Sequence, residues 1–143
     1  MFRQLTDRIF VAPQIAVGDV KDAAQAGVTL IINNRPEDES ADQTPGGEIE
    51  AAARAAGLDY VAIPVTHAGF AEWQVTAMAE ALAKTDGKIL AYCRSGTRST
   101  LLWALAQASK GEHPAVLAEK AADAGYDLTP VTAMMDILRG RAA

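Results

Sequence analysis

The chain has 143 residues, half of them apolar and 22% charged, with a formal net charge of −5. That length and balance suit one hydrophobic core, so residues 1–143 read as a single globular domain. An acidic chain of this kind is not built for general affinity to nucleic acid or to an anionic membrane, so any positive site must be local.

The stretch Met1-Phe2-Arg3-Gln4-Leu5-Thr6 has no basic segment leading into an apolar core, and no apolar run approaches the ~20 residues that span a bilayer. One cysteine cannot form an internal disulfide, so nothing requires an oxidising compartment and a cytoplasmic location is expected. Ile9 to Val11 and Ile15 to Val17, on either side of Pro13, read as short strands of an edge pair. A short helix is expected from Val20 to Ala26, stopped by Gly27. Val28 to Ile32 is a β-branched apolar run, the pattern of a strand covered on both faces.

Asn33-Asn34-Arg35-Pro36 follows, and then an acidic stretch, expected to be mobile, runs to Gly47. A helix is expected over Glu48 to Ala56 and a strand over Leu58 to Val65, broken near Pro64. Thr66 to Ala71 reads as a loop and Glu72 to Lys84 as a helix. Lys88 to Tyr92 is the next strand, with a helix from Ser99 to Ser109 soon after. Helices around Pro114 to Ala124 and Pro130 to Arg139 complete the pattern. Strands alternating with helices imply an α/β fold of three layers, with a mostly parallel sheet of four to five strands flanked by helices. Such sheets bind ligands beyond the carboxyl ends of their strands, where Cys93, Arg35 and His67 are all expected.

The most informative stretch is Cys93-Arg94-Ser95-Gly96-Thr97-Arg98-Ser99. A buried strand ends at a cysteine, a short polar loop follows, and a helix begins. In that arrangement the loop's N–H groups turn inward and the helix adds its partly positive end, an environment that favours a thiolate and holds an oxyanion against it. Cys93 is the candidate nucleophile. Arg98 is the candidate oxyanion ligand, since its planar fork suits that task better than lysine. Arg94 either steers an anion from outside or binds it, Ser95 and Thr97 supply loop donors, and Gly96 permits close approach. Ser99 reads equally as a helix cap or as a hydroxyl donor to the sulfur.

Four residues separate Cys93 from Arg98, so the loop resembles the Cys-Arg-x-Gly-x-Arg pattern of rhodanese sulfurtransferases more than the Cys-x5-Arg loop of tyrosine and dual-specificity phosphatases. The upstream run Gly27-Val28-Thr29-Leu30-Ile31-Ile32-Asn33-Asn34-Arg35 is nevertheless similar to the dual-specificity phosphatase fold. Together these features resemble the phosphatase-like domain of the beta-lactamase-hydrolase-like family, from Val11 to about Leu138, including Ala124-Gly125-Tyr126-Asp127-Leu128. The resemblance implies a cysteine-phosphatase-like fold. It also implies a persulfide-consuming metallo-beta-lactamase-like protein as a partner. Phosphatases of this type protonate the leaving oxygen with an aspartate from an earlier loop. The matching segment here, Pro64-Val65-Thr66-His67-Ala68-Gly69-Phe70, has no carboxylate, and only His67 stands where an acid would be needed.

Three functions are therefore in play. The first is transfer of a sulfane sulfur from a small anionic donor through a Cys93 persulfide. The second is hydrolysis of a phosphate ester through a phosphocysteine. The third is a non-catalytic module that binds oxyanions or senses redox state through its thiol. No cofactor is implied, and two histidines far from the one cysteine make no metal-ligand spacing. Arg35 is a candidate anion contact at the site mouth, and His67 a candidate acid or substrate contact. His113 reads as exposed, Glu37-Asp38-Glu39 as a solvated charge run, and Trp73 and Trp103 as core residues on helix faces.

Overall fold

The computed structural model describes residues 2–142. Five strands form one sheet in the order β1-β2-β5-β3-β4: β1 (Arg3–Gln4), β2 (Ile9–Ala12), β3 (Val28–Asn33), β4 (Asp59–Ala62) and β5 (Lys88–Tyr92). β1 runs antiparallel to β2, and every other neighbouring pair is parallel. Side chains alternate across a strand, so each central strand feeds two cores. On β5, Ile89 and Ala91 enter one core while Leu90 and Tyr92 enter the other.

Helices α1 (Asp19–Gln25) and α2 (Gly46–Ala55) close the Leu90 face. Helices α3 (Glu72–Lys84), α4 (Thr97–Ser109), α5 (Pro114–Asp123) and α6 (Thr132–Arg141) close the Ile89 face, giving the expected three-layer α/β architecture. A short 3-10 turn (Thr129–Val131) leads into α6. α4 is wrapped by the sheet, α3, α5 and α6, and ten of its 13 residues are buried. A helix that is apolar on all sides belongs inside a protein, and that placement makes α4 a rigid mount for whatever its first turn carries. No helix among the described residues is long and apolar enough to cross a membrane.

Two expectations need correcting. Ile15 to Val17 is not a strand. The backbone groups there are used by a turn, in which Ala16 N–H donates to Asp19 Oδ2 at 2.7 Å and Asp19 N–H to the Ala16 carbonyl at 3.0 Å. The antiparallel edge pair is made instead by β1 and β2. Trp73 is 57% exposed on the first turn of α3 and is not a core residue, whereas Trp103 is fully buried.

These two classes of position predict different costs. Leu102 is fully buried in α4, so Leu102→Ala should cost about 2–5 kcal/mol in urea unfolding. Ile137 is 56% exposed on α6, and Ile137→Ala should cost less than about 0.5 kcal/mol. Equal losses would contradict this assignment of faces.

Candidate active site

β5 is the central strand, and its carboxyl end delivers Cys93 between the exits of β2 and β3. The Cys93 N–H donates to the Ala12 carbonyl at 3.4 Å, and the Asn34 N–H to the Tyr92 carbonyl at 2.8 Å. Gly96 then adopts φ +91°, a left-handed conformation that glycine takes at little cost. That turn starts α4 at Thr97, two residues earlier than expected, and puts Arg98 in its first turn. The Gly96 N–H donates to Cys93 Sγ at 3.1 Å. The Arg94 carbonyl accepts from the Gln14 N–H at 3.2 Å, and the Thr97 N–H donates to Ser95 Oγ at 3.3 Å. The N–H groups of Arg94, Ser95, Arg98 and Ser99 meet no acceptor among the described residues. Those open donors lie in the loop and at the positive end of a helix dipole, a setting that favours anions.

Arg98 is held from behind. Its Nη1 and Nη2 donate to the two Glu39 oxygens, each at 2.8 Å, and Nη1 also donates to the Val65 carbonyl at 2.6 Å. A guanidinium has five N–H groups in a fixed fork, so these three bonds leave Nε–H and one Nη2–H. That remaining pair forms the side edge of the fork, the edge suited to a bidentate oxyanion. The Glu39 hydrogen bond is the largest influence raising the Arg98 pKa, with smaller contributions from Cys93.

Glu39 is itself shared. Arg35 Nε donates to Glu39 Oε1 at 3.0 Å, while Arg35 Nη1 and Nη2 donate to Gln14 Oε1 and Ser40 Oγ at 2.9 and 3.1 Å. The hydrogen bond from Arg98 holds the Glu39 carboxyl at about 2, against the opposing effect of burial and with further help from Arg35. One carboxylate between two guanidiniums leaves the group of three with one net positive charge.

In the acidic stretch Glu37 and Asp38 are exposed, as expected of a solvated charge run, and Glu39 departs from that reading. Glu39 locks the stretch to α4, and Glu37 Oε1 accepts the Gly46 N–H at 2.9 Å at the start of α2. Arg35, expected at the site mouth, is 4% exposed and spends its donors on protein groups. Ser99 is not a cap, because Gly96 occupies that position, and its buried Oγ has no partner among the described residues.

Arg94, Ser95, Thr97 and His67 are exposed at the rim. With Arg98, Phe70 and Leu101 they line a groove of about 400 Å³. His113 is exposed as expected, and its Nδ1 caps α5 by accepting from the Ala115 N–H at 3.1 Å. No group of three or more His, Cys, Asp or Glu residues among those described could hold a metal ion. Sequence reading missed Glu39, Gln14 and Tyr126, whose OH donates to the Ser95 carbonyl at 3.1 Å. The i,i+4 spacing of Arg35 and Glu39 just past β3 was the available signal for the first.

Glu39 carries a pH signature. Its folded value of about 2 lies below the ordinary 4.5, so the folded state binds the proton less well and acid favours unfolding. The stabilisation should be complete above about pH 4.5 and disappear as pH falls through about 2. Thermal unfolding should show Glu39→Gln less stable at neutral pH, with the gap to the parent closing across that window. A gap independent of pH there would contradict the Glu39 assignment.

Comparison with known proteins agrees with this architecture. The family model described as "Beta-lactamase hydrolase-like protein, phosphatase-like domain" matches residues 1–110. A beta-lactamase hydrolase-like protein of Xylella fastidiosa is 37% identical over 108 residues, covering 75% of this chain and 25% of that protein. The chain therefore spans about a quarter of the length of the curated relatives it matches. Among solved structures, a protein of Neisseria meningitidis Z2491 provisionally described as a phosphatase is 29% identical with a TM-score of 0.83, covering 96% of this chain and 97% of its own. A similarly described protein of Shewanella putrefaciens CN-32 is 25% identical with a TM-score of 0.75, covering 99% of this chain and 93% of its own. More distant cysteine phosphatases, at 13% and 15% identity and TM-scores of 0.73 and 0.74, share the fold. The chain belongs to the phosphatase-like domain family of beta-lactamase hydrolase-like proteins.

Proposed function

We propose that this domain is a cysteine-nucleophile sulfurtransferase. The Cys93 thiolate attacks the outer sulfur of a small sulfane-sulfur anion such as thiosulfate. The S–S bond of the donor breaks, sulfite leaves with the bonding pair, and Cys93 keeps a persulfide. The free edge of Arg98 and the open loop N–H groups hold the oxyanion in place during attack. Arg94 and His67 stand at the rim to receive the anion.

The observation that carries this reading concerns protons. No carboxyl group lines the groove, and Glu39, the carboxylate behind it, is held ionised at about 2. A leaving alkoxide needs a general acid, whose contribution is typically 10²–10⁴-fold, whereas sulfite departs as a stable anion without one. The loop also has only four residues between Cys93 and Arg98, the spacing in which it resembles rhodanese sulfurtransferases. The sequence holds one cysteine, so an external nucleophile must take the sulfur. Cyanide or a thiol would serve in vitro, and a persulfide-consuming metallo-beta-lactamase-like protein is a candidate acceptor.

A second reading, phosphate ester hydrolysis through a phosphocysteine, has its own support. The relatives of Neisseria and Shewanella, similar along nearly the whole chain, are both provisionally described as phosphatases. On that reading His67 is the candidate proton donor, and His67→Ala would depress the rate for poor leaving groups most.

Intact-protein mass spectrometry after thiosulfate treatment separates the two, with Cys93→Ser as control and an aryl phosphate assayed in parallel. The expected result is one added sulfur atom, discharged by cyanide and absent from Cys93→Ser. Cys93-dependent phosphate release with no sulfur gain would overturn sulfur transfer in favour of the second reading. Inactivity in both assays would overturn both readings and point to binding or sensing.

A further inference from the structure

The loop is also held from outside, by residues beyond the family match, which ends at residue 110. Tyr126 lies in the turn after α5, where its N–H donates to the Ala121 carbonyl at 2.8 Å. Its OH donates to the Ser95 carbonyl at 3.1 Å. In a trans peptide the C=O and N–H of one unit point in opposite directions. The Ser95–Gly96 unit therefore has its oxygen on Tyr126 and its N–H on Cys93 Sγ, also at 3.1 Å.

This approach needs a glycine, because a Cβ on residue 96 would lie 2.2 Å from the Tyr126 oxygen. Tyr126 is fixed in turn by Arg3, whose guanidinium sits 5.2 Å from the ring centroid and whose Nη1 donates to the Ala124 carbonyl at 3.1 Å. Burial raises the phenol's pKa most, Arg3 opposes that, and the Cys93 charge adds to it, so the phenol keeps the proton it donates.

We propose that Tyr126 is a positioning residue for the nucleophile: its hydroxyl clamps the Ser95–Gly96 peptide so that the Gly96 N–H stays aimed at Cys93 Sγ. The clamp requires only that Cys93 acts as a thiolate, so it stands apart from the choice between sulfur and phosphate. Without the hydroxyl the peptide is free to rotate, and the charged sulfur loses a hydrogen bond that favours it over the neutral thiol.

Tyr126→Phe tests this, because it keeps the ring and its stacking with Arg3 and removes only the OH. With one cysteine in the sequence, the ultraviolet absorbance of the thiolate reports Cys93 alone when read as the difference from the same protein carrying Cys93→Ser. The expected result is that the thiolate signal of Tyr126→Phe develops at higher pH than in the parent, by about half a unit or more, while the melting temperature changes little. Arg3→Met loosens the ring from the far side and should shift the curve the same way by less. Superimposable curves for Tyr126→Phe and the parent would overturn the proposal, as would a loss of melting temperature with no shift. A shift in a protein that neither gains sulfur nor releases phosphate would sustain the clamp while the proposed reaction fails.

Discussion

The ion pair between Arg98 and Glu39 is the contact on which the site depends. An arginine beside a cysteine is a general device for binding anions, but a long side chain has about 2 kcal/mol of rotamer freedom to lose before it binds anything. Here that freedom is already removed. Glu39 takes the end of the guanidinium fork, the Val65 carbonyl takes an outer proton, and the side edge is left for a ligand. The carboxylate can do this because Arg35 shares its charge, and Arg35 is in turn fixed by Gln14 and Ser40. The cost of burying several charges together is offset by pairing and near-complete hydrogen bonding, which is the condition for such a network to persist.

The fold supplies these partners from separate places in the chain. Gln14 follows β2, Arg35 and Glu39 follow β3, Val65 follows β4, and Cys93 follows β5. Four parallel strands end on one side of the sheet, so residues far apart in sequence converge there. α4, buried on nearly all sides, keeps Arg98 from shifting relative to that edge. The C-terminal segment adds Tyr126 from above. The rim residues Arg94, Ser95, Thr97 and His67 remain exposed, beside Phe70 and Leu101 in the same groove.

Much of this was legible because the local signals were strong. The β-branched run at Val28 to Ile32 and the strand-cysteine-glycine-helix order at Lys88 to Ser109 both carry their structure in short-range pattern. α3 and β5 begin and end where their periodicity says. What stayed hidden depends on distant partners. Apart from its i,i+4 spacing from Arg35, nothing local distinguishes Glu39 from its exposed neighbour Asp38, since its main partner is Arg98, 59 residues away. Tyr126 meets Ser95 across 31 residues, and Arg3 meets Ala124 across 121. Ile15 was misread for a related reason: its apolar side chain enters the core from a turn whose hydrogen bonds to Asp19 replace a ladder. Trp73 has a core residue's chemistry but sits on the solvent side of α3, which the first turn of a helix leaves undetermined.

The most direct test is a crystal structure of the Cys93→Ser protein with sulfate. Two sulfate oxygens should lie within hydrogen-bond distance of Arg98 Nε and Nη2, with loop N–H groups around the remaining oxygens and Glu39 still paired to the end of the fork. Sulfate bound in place of Glu39, with the carboxylate swung away, would contradict the account, because Glu39 would then be a stand-in for the ligand and not the support for Arg98.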